Sequence, residues 1–331
     1  MQKRRLGRTG LDVSLLGFGC GAVGGLMVKG AAADQERAVA RALELGVNYF
    51  DTASMYGNGE SEKNLGRVWK ALKPQAYVGT KVRLAATEPK QIGGAIAASL
   101  EASLARLQMD SVDLFQFHNA IVGATAGASF AADVVLGEVV PAFERLRQQG
   151  KTRFIGITAV GDTAALHKVV DARVFDTAQV SYNLLNPSPG GPVPAGFPAQ
   201  DFGNLLGRAK AADMGVINIR VLAGGALSGS AERHAIASPP PEPIGSGSSY
   251  TIDLERARRL MPLVNEGYAE SLVEASLRYV IAHQAVSTVL IGIATLDQFE
   301  TAACAIEKGP LSQAALDRAA ELQRGFAGEP R

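Results

Sequence analysis

Two cysteines, Cys20 and Cys304, are all that the 331 residues contain, and they lie far apart. Neither a disulfide framework nor a thiolate metal site can be built from them, and no cluster of His, Asp and Glu has metal-ligating spacing. No metal is therefore expected, and a reducing compartment, the cytoplasm, is the expected location. A surplus of charge is also missing. With 33 basic and 32 acidic residues the net charge is +1, so nothing in the balance recruits a nucleic acid or another polyanion. No apolar run is long enough to cross a bilayer. Lys3, Arg4, Arg5 and Arg8 precede an apolar stretch, but Gly7, Gly10 and Asp12 interrupt it before a signal-peptide core forms. No membrane partner is expected, and composition says nothing about the oligomeric state.

Length alone admits one large α/β barrel or two ordinary domains. The pattern decides between them. Short apolar runs are expected as strands near Leu15 and Val47, then at 76–80, 113–117, 154–158, 177–180, 216–220 and 288–291. They alternate with helical patterns at 34–45, 61–70, 90–107, 137–149, 162–170, 201–213, 271–283 and 296–307. Eight strand and helix pairs close a (β/α)8 TIM barrel, a single domain over residues 1–331. The Gly-containing turn in residues 4–16 predicts an N-terminal β-hairpin plugging one end, and an extra C-terminal helix is expected over 313–326. Helices on one side and the barrel interior on the other explain strands that are apolar rather than alternating. Three connections, 119–136, 184–200 and 222–253, are too long to be mere links and follow the carboxyl ends of strands, the face where barrel enzymes place their sites.

Residues 46–70 concentrate the chemistry. Val47, Tyr49 and Phe50 suit a strand that ends at Asp51, Tyr56 falls in the loop behind it, Gly57 and Gly59 break the chain, and Ser61 starts a helix. This run resembles the signature of the aldo-keto reductase family, and the similarity extends from the first hairpin to the turn at Gly309-Pro310. The resemblance implies a reductive site of Asp51, Tyr56, Lys81 and His118, with the last two at the ends of the third and fourth barrel strands. Singly, each has an ordinary structural explanation; all four at neighbouring strand ends point to a site. Carbonyl reduction by hydride leaves an alkoxide that needs a proton, and Tyr56 is the acid by this reading. Lys81 beside it stabilises the phenolate, Asp51 holds Lys81 charged, and His118 orients the carbonyl. His167, His234 and His283 read as structural.

Gly19-Cys20-Gly21 continues to Gly24 in a pattern that formally fits a dinucleotide fingerprint. The helix it would need opens only near Asp34, so the stretch reads as a Gly-rich loop passing close to a ligand or another backbone. For the nicotinamide cofactor the family resemblance implies contacts from Gly19, Cys20, Gly21 and Asp51, with Gln179 under the carboxamide. It adds Leu222, Gly224 and Ser228 at the pyrophosphate, Gly292, Thr295 and Gln298 at the adenosine, and Ile219 and Arg220 alongside. The chain departs from the family at Thr158-Ala159, where Ser-Asn is usual, and at Ile219, where many members place an aromatic ring. The family default is NADP(H). The segment 292–304, where its cations tend to lie, has no basic residue and carries Asp297 and Glu300, which favours NAD(H) being usable. The expected activity is reduction of an aldehyde or ketone, or oxidation of the matching alcohol or sugar. The alternative is a cofactor-binding accessory protein of the same fold.

Overall fold

Residues 1–329 are described in a computed structural model. Lys3–Arg5 (β1) and Asp12–Ser14 (β2) pair antiparallel, with Lys3 opposite Ser14, across a three-ten turn at Gly7–Thr9. The remaining strands in chain order are Leu16–Gly19 (β3), Tyr49–Asp51 (β4), Tyr77–Val82 (β5), Val112–Phe117 (β6), Ile121–Val122 (β7), Phe130–Ala131 (β8), Thr152–Thr158 (β9), Thr177–Ser181 (β10), Gly215–Ile219 (β11) and Val286–Gly292 (β12). Eight of these close a parallel barrel in the order β3, β4, β5, β6, β9, β10, β11, β12 and back to β3. β7 and β8 form a separate small pair inside the connection after β6.

Each barrel strand returns through a helix: Ala32–Glu44, Glu60–Leu72, Pro89–Leu107, Val140–Gln148, Thr163–Asp171, Leu205–Ala211, Leu272–Ala282 and Leu296–Glu307. Side-chain caps set several starts; Ser271 accepts from the Glu274 amide and Thr295 from the Gln298 amide. The last helix, Gln313–Arg324, packs outside the barrel, where the Gln323 amide donates to the Leu184 carbonyl at 2.9 Å. It ends two residues before the expected Phe326.

The strands prove to alternate in character, where uniform apolarity was expected. Phe18, Phe50, Val78, Phe115, Phe117, Ile155, Ile157, Val216 and Val289 are buried in the layer between strands and helices, each phenylalanine worth about 1.5–3 kcal/mol on removal from water. The positions between them turn inward. At the amino-terminal end the interior is filled by Tyr49, Leu114, Ile217 and Leu290, onto which the hairpin residues Leu6, Leu11 and Val13 pack. Arg4 Nη1 donates to the Val286 carbonyl and Nη2 to the Ile281 carbonyl, both at 2.8 Å. A Cβ on Gly7 would lie 2.1 Å from the Gly215 nitrogen, so the turn seats directly on the start of β11. The hairpin is thus a floor, and the polar inward positions Asp51, Lys81, Gln116 and Gln179 face the other end.

Candidate active site

β4 delivers Asp51 as its last residue, β5 places Lys81 on the same interior face, and His118 follows the end of β6, its amide donating to the Val82 carbonyl at 2.8 Å. Tyr56 sits on the turn after β4, where its amide donates to the Ala53 carbonyl at 3.1 Å. Beneath that turn the hydroxyls of Thr52 and Ser61 are 2.8 Å apart, and Ser61 donates to the Cys20 carbonyl at 2.8 Å. These bonds tie the loop to the helix that follows it.

The Lys81 ammonium is fully buried and has three protons to place. One goes to Asp51 Oδ1, one to the Thr52 carbonyl at 2.7 Å and one to the Tyr56 hydroxyl at 3.3 Å. Asp51 Oδ2 accepts from the Tyr49 hydroxyl at 3.0 Å, from Gln179 Nε2 at 2.8 Å and from Gln116 Nε2 at 3.2 Å. Such saturation is what a buried ion pair requires, since each ion taken from water costs several kcal/mol before pairing repays it. Room for the Tyr49 hydroxyl comes from Gly79 on β5: a Cβ there would lie 2.5 Å from that oxygen.

Burial opposes the Lys81 charge, yet Asp51 and Tyr56 outweigh it and hold the ammonium above its ordinary pKa. Burial raises the Tyr56 phenol, while the Lys81 cation and its hydrogen bond pull it back down. The cation therefore acts in the direction read from the sequence, but desolvation exceeds it. Burial, with Lys81 and Arg83 adding to it, lowers His118 to about 3, so its imidazole is neutral. The His118 ring stands edge-on to Tyr56 with centroids 6.1 Å apart, and its buried Nδ1 has no hydrogen-bond partner.

A cavity of about 880 Å³ opens over these groups. Asp51, Tyr56 and His118 line it, together with Gly19, Gly21, Thr158, Gln179, Ile219, Arg220, Leu222, Gly224, Ser228, Gly292 and Gln298. Two residues expected against a cofactor do not line it. Cys20 is buried in the core, where desolvation pushes its thiol far up, and the Thr295 hydroxyl is occupied as a helix cap. Gln179, expected under a carboxamide, instead spends its Nε2 on Asp51, and the Thr158 hydroxyl donates to its Oε1 at 3.4 Å. Gly24 would place a Cβ 2.1 Å from the Ile293 nitrogen, so the glycine loop is needed for close packing of two backbones. Among the described residues no group of three His, Cys, Asp or Glu could hold a metal ion, and no helix is long and apolar enough to cross a membrane.

Several lining residues were not singled out in the sequence. Arg83 lies two positions after Lys81, a spacing that places both on one face of an extended segment, and Met55 adjoins Tyr56. Arg233, in the long connection after β11, donates to the carbonyls of Gly224 at 2.7 Å, Ser238 at 2.9 Å and Val23 at 3.0 Å. It thereby straps that connection to the Gly19–Gly25 loop across the cavity. Composition alone marks that connection as long but gives no sign of the strap.

A model of the aldo/keto reductase family matches residues 15–324. The chain is 31% identical over 314 residues to an L-galactose dehydrogenase of Arabidopsis thaliana, covering 92% of this chain and 88% of that protein. It is 27% identical to a pyridoxal 4-dehydrogenase of Microbacterium luteolum, with 90% of each covered. Among solved structures, the holo form of aldo-keto reductase AKR11C1 from Bacillus halodurans superposes with a TM-score of 0.73 at 26% identity, over 97% of this chain and 96% of that one.

Proposed function

The chain belongs to the aldo/keto reductase family, and on that premise we propose that it is a nicotinamide-dependent oxidoreductase acting through Tyr56, Lys81, Asp51 and His118 as one catalytic unit. The observation that carries this reading is Lys81, buried and shared between Asp51 and the Tyr56 hydroxyl at the mouth of the barrel. Two relatives are named for dehydrogenation, so oxidation of an alcohol or sugar is proposed alongside reduction of an aldehyde or ketone.

The residues present suit a dinucleotide. Gly224 and Gly225 adopt φ of +71° and +113°, turning the chain into an open bend along the cavity wall, and the unpartnered Nδ1 of His118 marks polar demand beside Tyr56. Leu222, Gly224, Ser228, Gly292 and Gln298 would hold the phosphates and adenosine, and Thr158, Gln179 and Ile219 the ring nearest Tyr56. When bound, the nicotinamide supplies or accepts the hydride. The protein's own part is the proton. In reduction, Tyr56 gives its phenolic proton to the substrate oxygen, and Lys81 stabilises the phenolate left behind. In oxidation, the phenolate takes the proton back. Neutral His118 offers an N–H to the substrate oxygen without bringing a charge, while Asp51 keeps the buried Lys81 cationic.

NAD(H) is proposed to serve at least comparably to NADP(H). No basic residue enters on 292–304; Arg41 reaches that segment only to pair with Glu300 at 2.7 Å, and Asp297 lines the cavity. Following the near-ultraviolet absorbance of the reduced cofactor against a panel of aldehydes, ketones and sugars tests the activity. Tyr56→Phe is expected to bind cofactor normally and to lose at least about a hundredfold in turnover. Full turnover in that variant would remove Tyr56 from the role, and cofactor binding with no turnover of any panel member would return the accessory reading.

A further inference from the structure

Among the described residues, two arginines lining this mouth carry charge that the fold leaves unpaired: Arg220, just past β11 on the side assigned to the cofactor, and Arg83, just past β5. Arg233 is saturated by three carbonyls, and Lys81 by Asp51, Thr52 and Tyr56. The exposed Arg83 guanidinium, among the described residues, reaches only the Met55 sulfur, at 3.9 Å. Met55 is itself the exposed large hydrophobic side chain of the structure, at 42%, and both residues line the cavity. An apolar surface and an unpaired cation therefore stand together beside Tyr56 and His118.

Their position separates them from the part of the cavity assigned to the cofactor. The loops after β11 and β12 carry Leu222, Gly224, Gly292 and Gln298, and also the acidic lining residues Glu232 and Asp297. In the ring of eight strands β5 stands opposite β11, four places round in either direction. Arg83, at the end of β5, thus faces the substrate side, far round the rim from Glu232. Its charge and that of Lys81 both disfavour a further positive charge at His118.

We propose that Arg83 selects substrates carrying an oxyanion, a carboxylate or a phosphate ester, several bonds from the reacting carbon, with Met55 packing on the apolar part between. The inference rests on the proposed Tyr56 chemistry for where the reacting carbon lies. A guanidinium offers a planar fork of donors that matches either oxyanion, and a charge-assisted contact of this kind at a partly open rim is worth about tenfold in affinity.

Matched pairs decide it: 4-formylbenzoate against its methyl ester, and glyceraldehyde 3-phosphate against glyceraldehyde. The wild-type protein is expected to favour at least one anionic member by about tenfold in kcat/KM, chiefly through KM, with the ratio shrinking as salt is added. Arg83→Gln should bring that ratio near one, and Arg83→Lys should restore part of it. The pair that shows the preference tells carboxylate from phosphate. Calorimetric titration of 4-(hydroxymethyl)benzoate and its methyl ester reads the same contact without turnover. Tighter binding of the carboxylate that disappears in Arg83→Gln, with no member turned over, would sink the catalytic reading and leave Arg83 its role. Turnover with a wild-type ratio near one for both pairs, or a ratio that survives in Arg83→Gln, overturns the proposal.

Discussion

Replacing Lys81 with methionine removes a charge from a place where both neighbours depend on it. The ammonium lies 3.3 Å from the Tyr56 hydroxyl, and at an effective dielectric constant of about 20 that separation is worth roughly 5 kcal/mol to a phenolate. If about half of this is felt at the transition state, reduction slows by on the order of a hundredfold. The sign of the pH effect follows. Burial already raises the Tyr56 phenol and Lys81 lowers it, so without the cation the phenol ionises at still higher pH. The alkaline limb of the reduction profile should move upward even as the rate falls, because the weaker acid stays protonated longer. The second dependent is Asp51, left with Tyr49, Gln116 and Gln179 but no cation. Stranding a buried charge costs about 3–5 kcal/mol, or on the order of 10 °C in Tm. Asp51→Asn combined with Lys81→Met should recover much of that Tm while remaining inactive, since the stranded charge is gone but the phenol still lacks its partner. Stopped-flow reduction across pH and differential scanning calorimetry of the three variants provide the readings. An unaltered pH profile in Lys81→Met, or a double variant as unstable as the sum of the singles, would refute the reasoning.

The neutral state of His118 carries its own expectation: with its pKa depressed from 6.5 to about 3, kcat/KM for reduction should show no inflection from this residue between about pH 5 and 8. An inflection near 6.5 that vanishes in His118→Asn would show that the imidazole titrates in the working range after all. For the cofactor, side-by-side titrations should give dissociation constants for NADH and NADPH within about tenfold of each other, since no cation on 292–304 awaits a ribose phosphate. A hundredfold preference for NADPH would mean that a cation from another loop reaches in.

Much of this architecture is legible in the chain because parallel barrel strands are short, apolar and punctuated by helices of ordinary length. Each expected barrel strand lies within a few residues of its observed position. What escaped notice has physical reasons. The pairing of Ile121–Val122 with Phe130–Ala131 involves two-residue strands, too short for any periodicity. The helix expected from Gly137 begins at Ala132, its first turns distorted through a π segment at Val135–Val139. The helix expected from Asp201 starts only at Leu205, because Asn204 takes a left-handed conformation to cap it. The connection after β11 hides the helix Tyr250–Arg258, begun by the Ser249 cap. At the site, Asp51, Tyr56, Lys81 and His118 could be placed because each sits at a strand end or in the first turn beyond, where register fixes direction. The loop residue Arg233 could not, since its position depends on how a long chain folds back on itself. The burial of the Cys20 side chain was hidden for a related reason: position in a glycine-rich loop says nothing of which way one side chain points.

The floor that seals the barrel also orders its assembly in time. The bond from Arg4 to the Val286 carbonyl joins positions 282 apart, and the seam between β3 and β12 pairs Leu16 with Val289. A chain synthesised from its amino end exposes β3 first and keeps that strand's edge unpaired until β12 has emerged, nearly the whole length later. Throughout that interval the growing sheet carries two open edges, the feature that invites pairing with a neighbouring chain. A transcript cut short before residue 286 would therefore yield an open ribbon seeking partners, and not a smaller barrel. Opening the barrel between another pair of strands would move that waiting period to that pair while leaving the finished architecture unchanged.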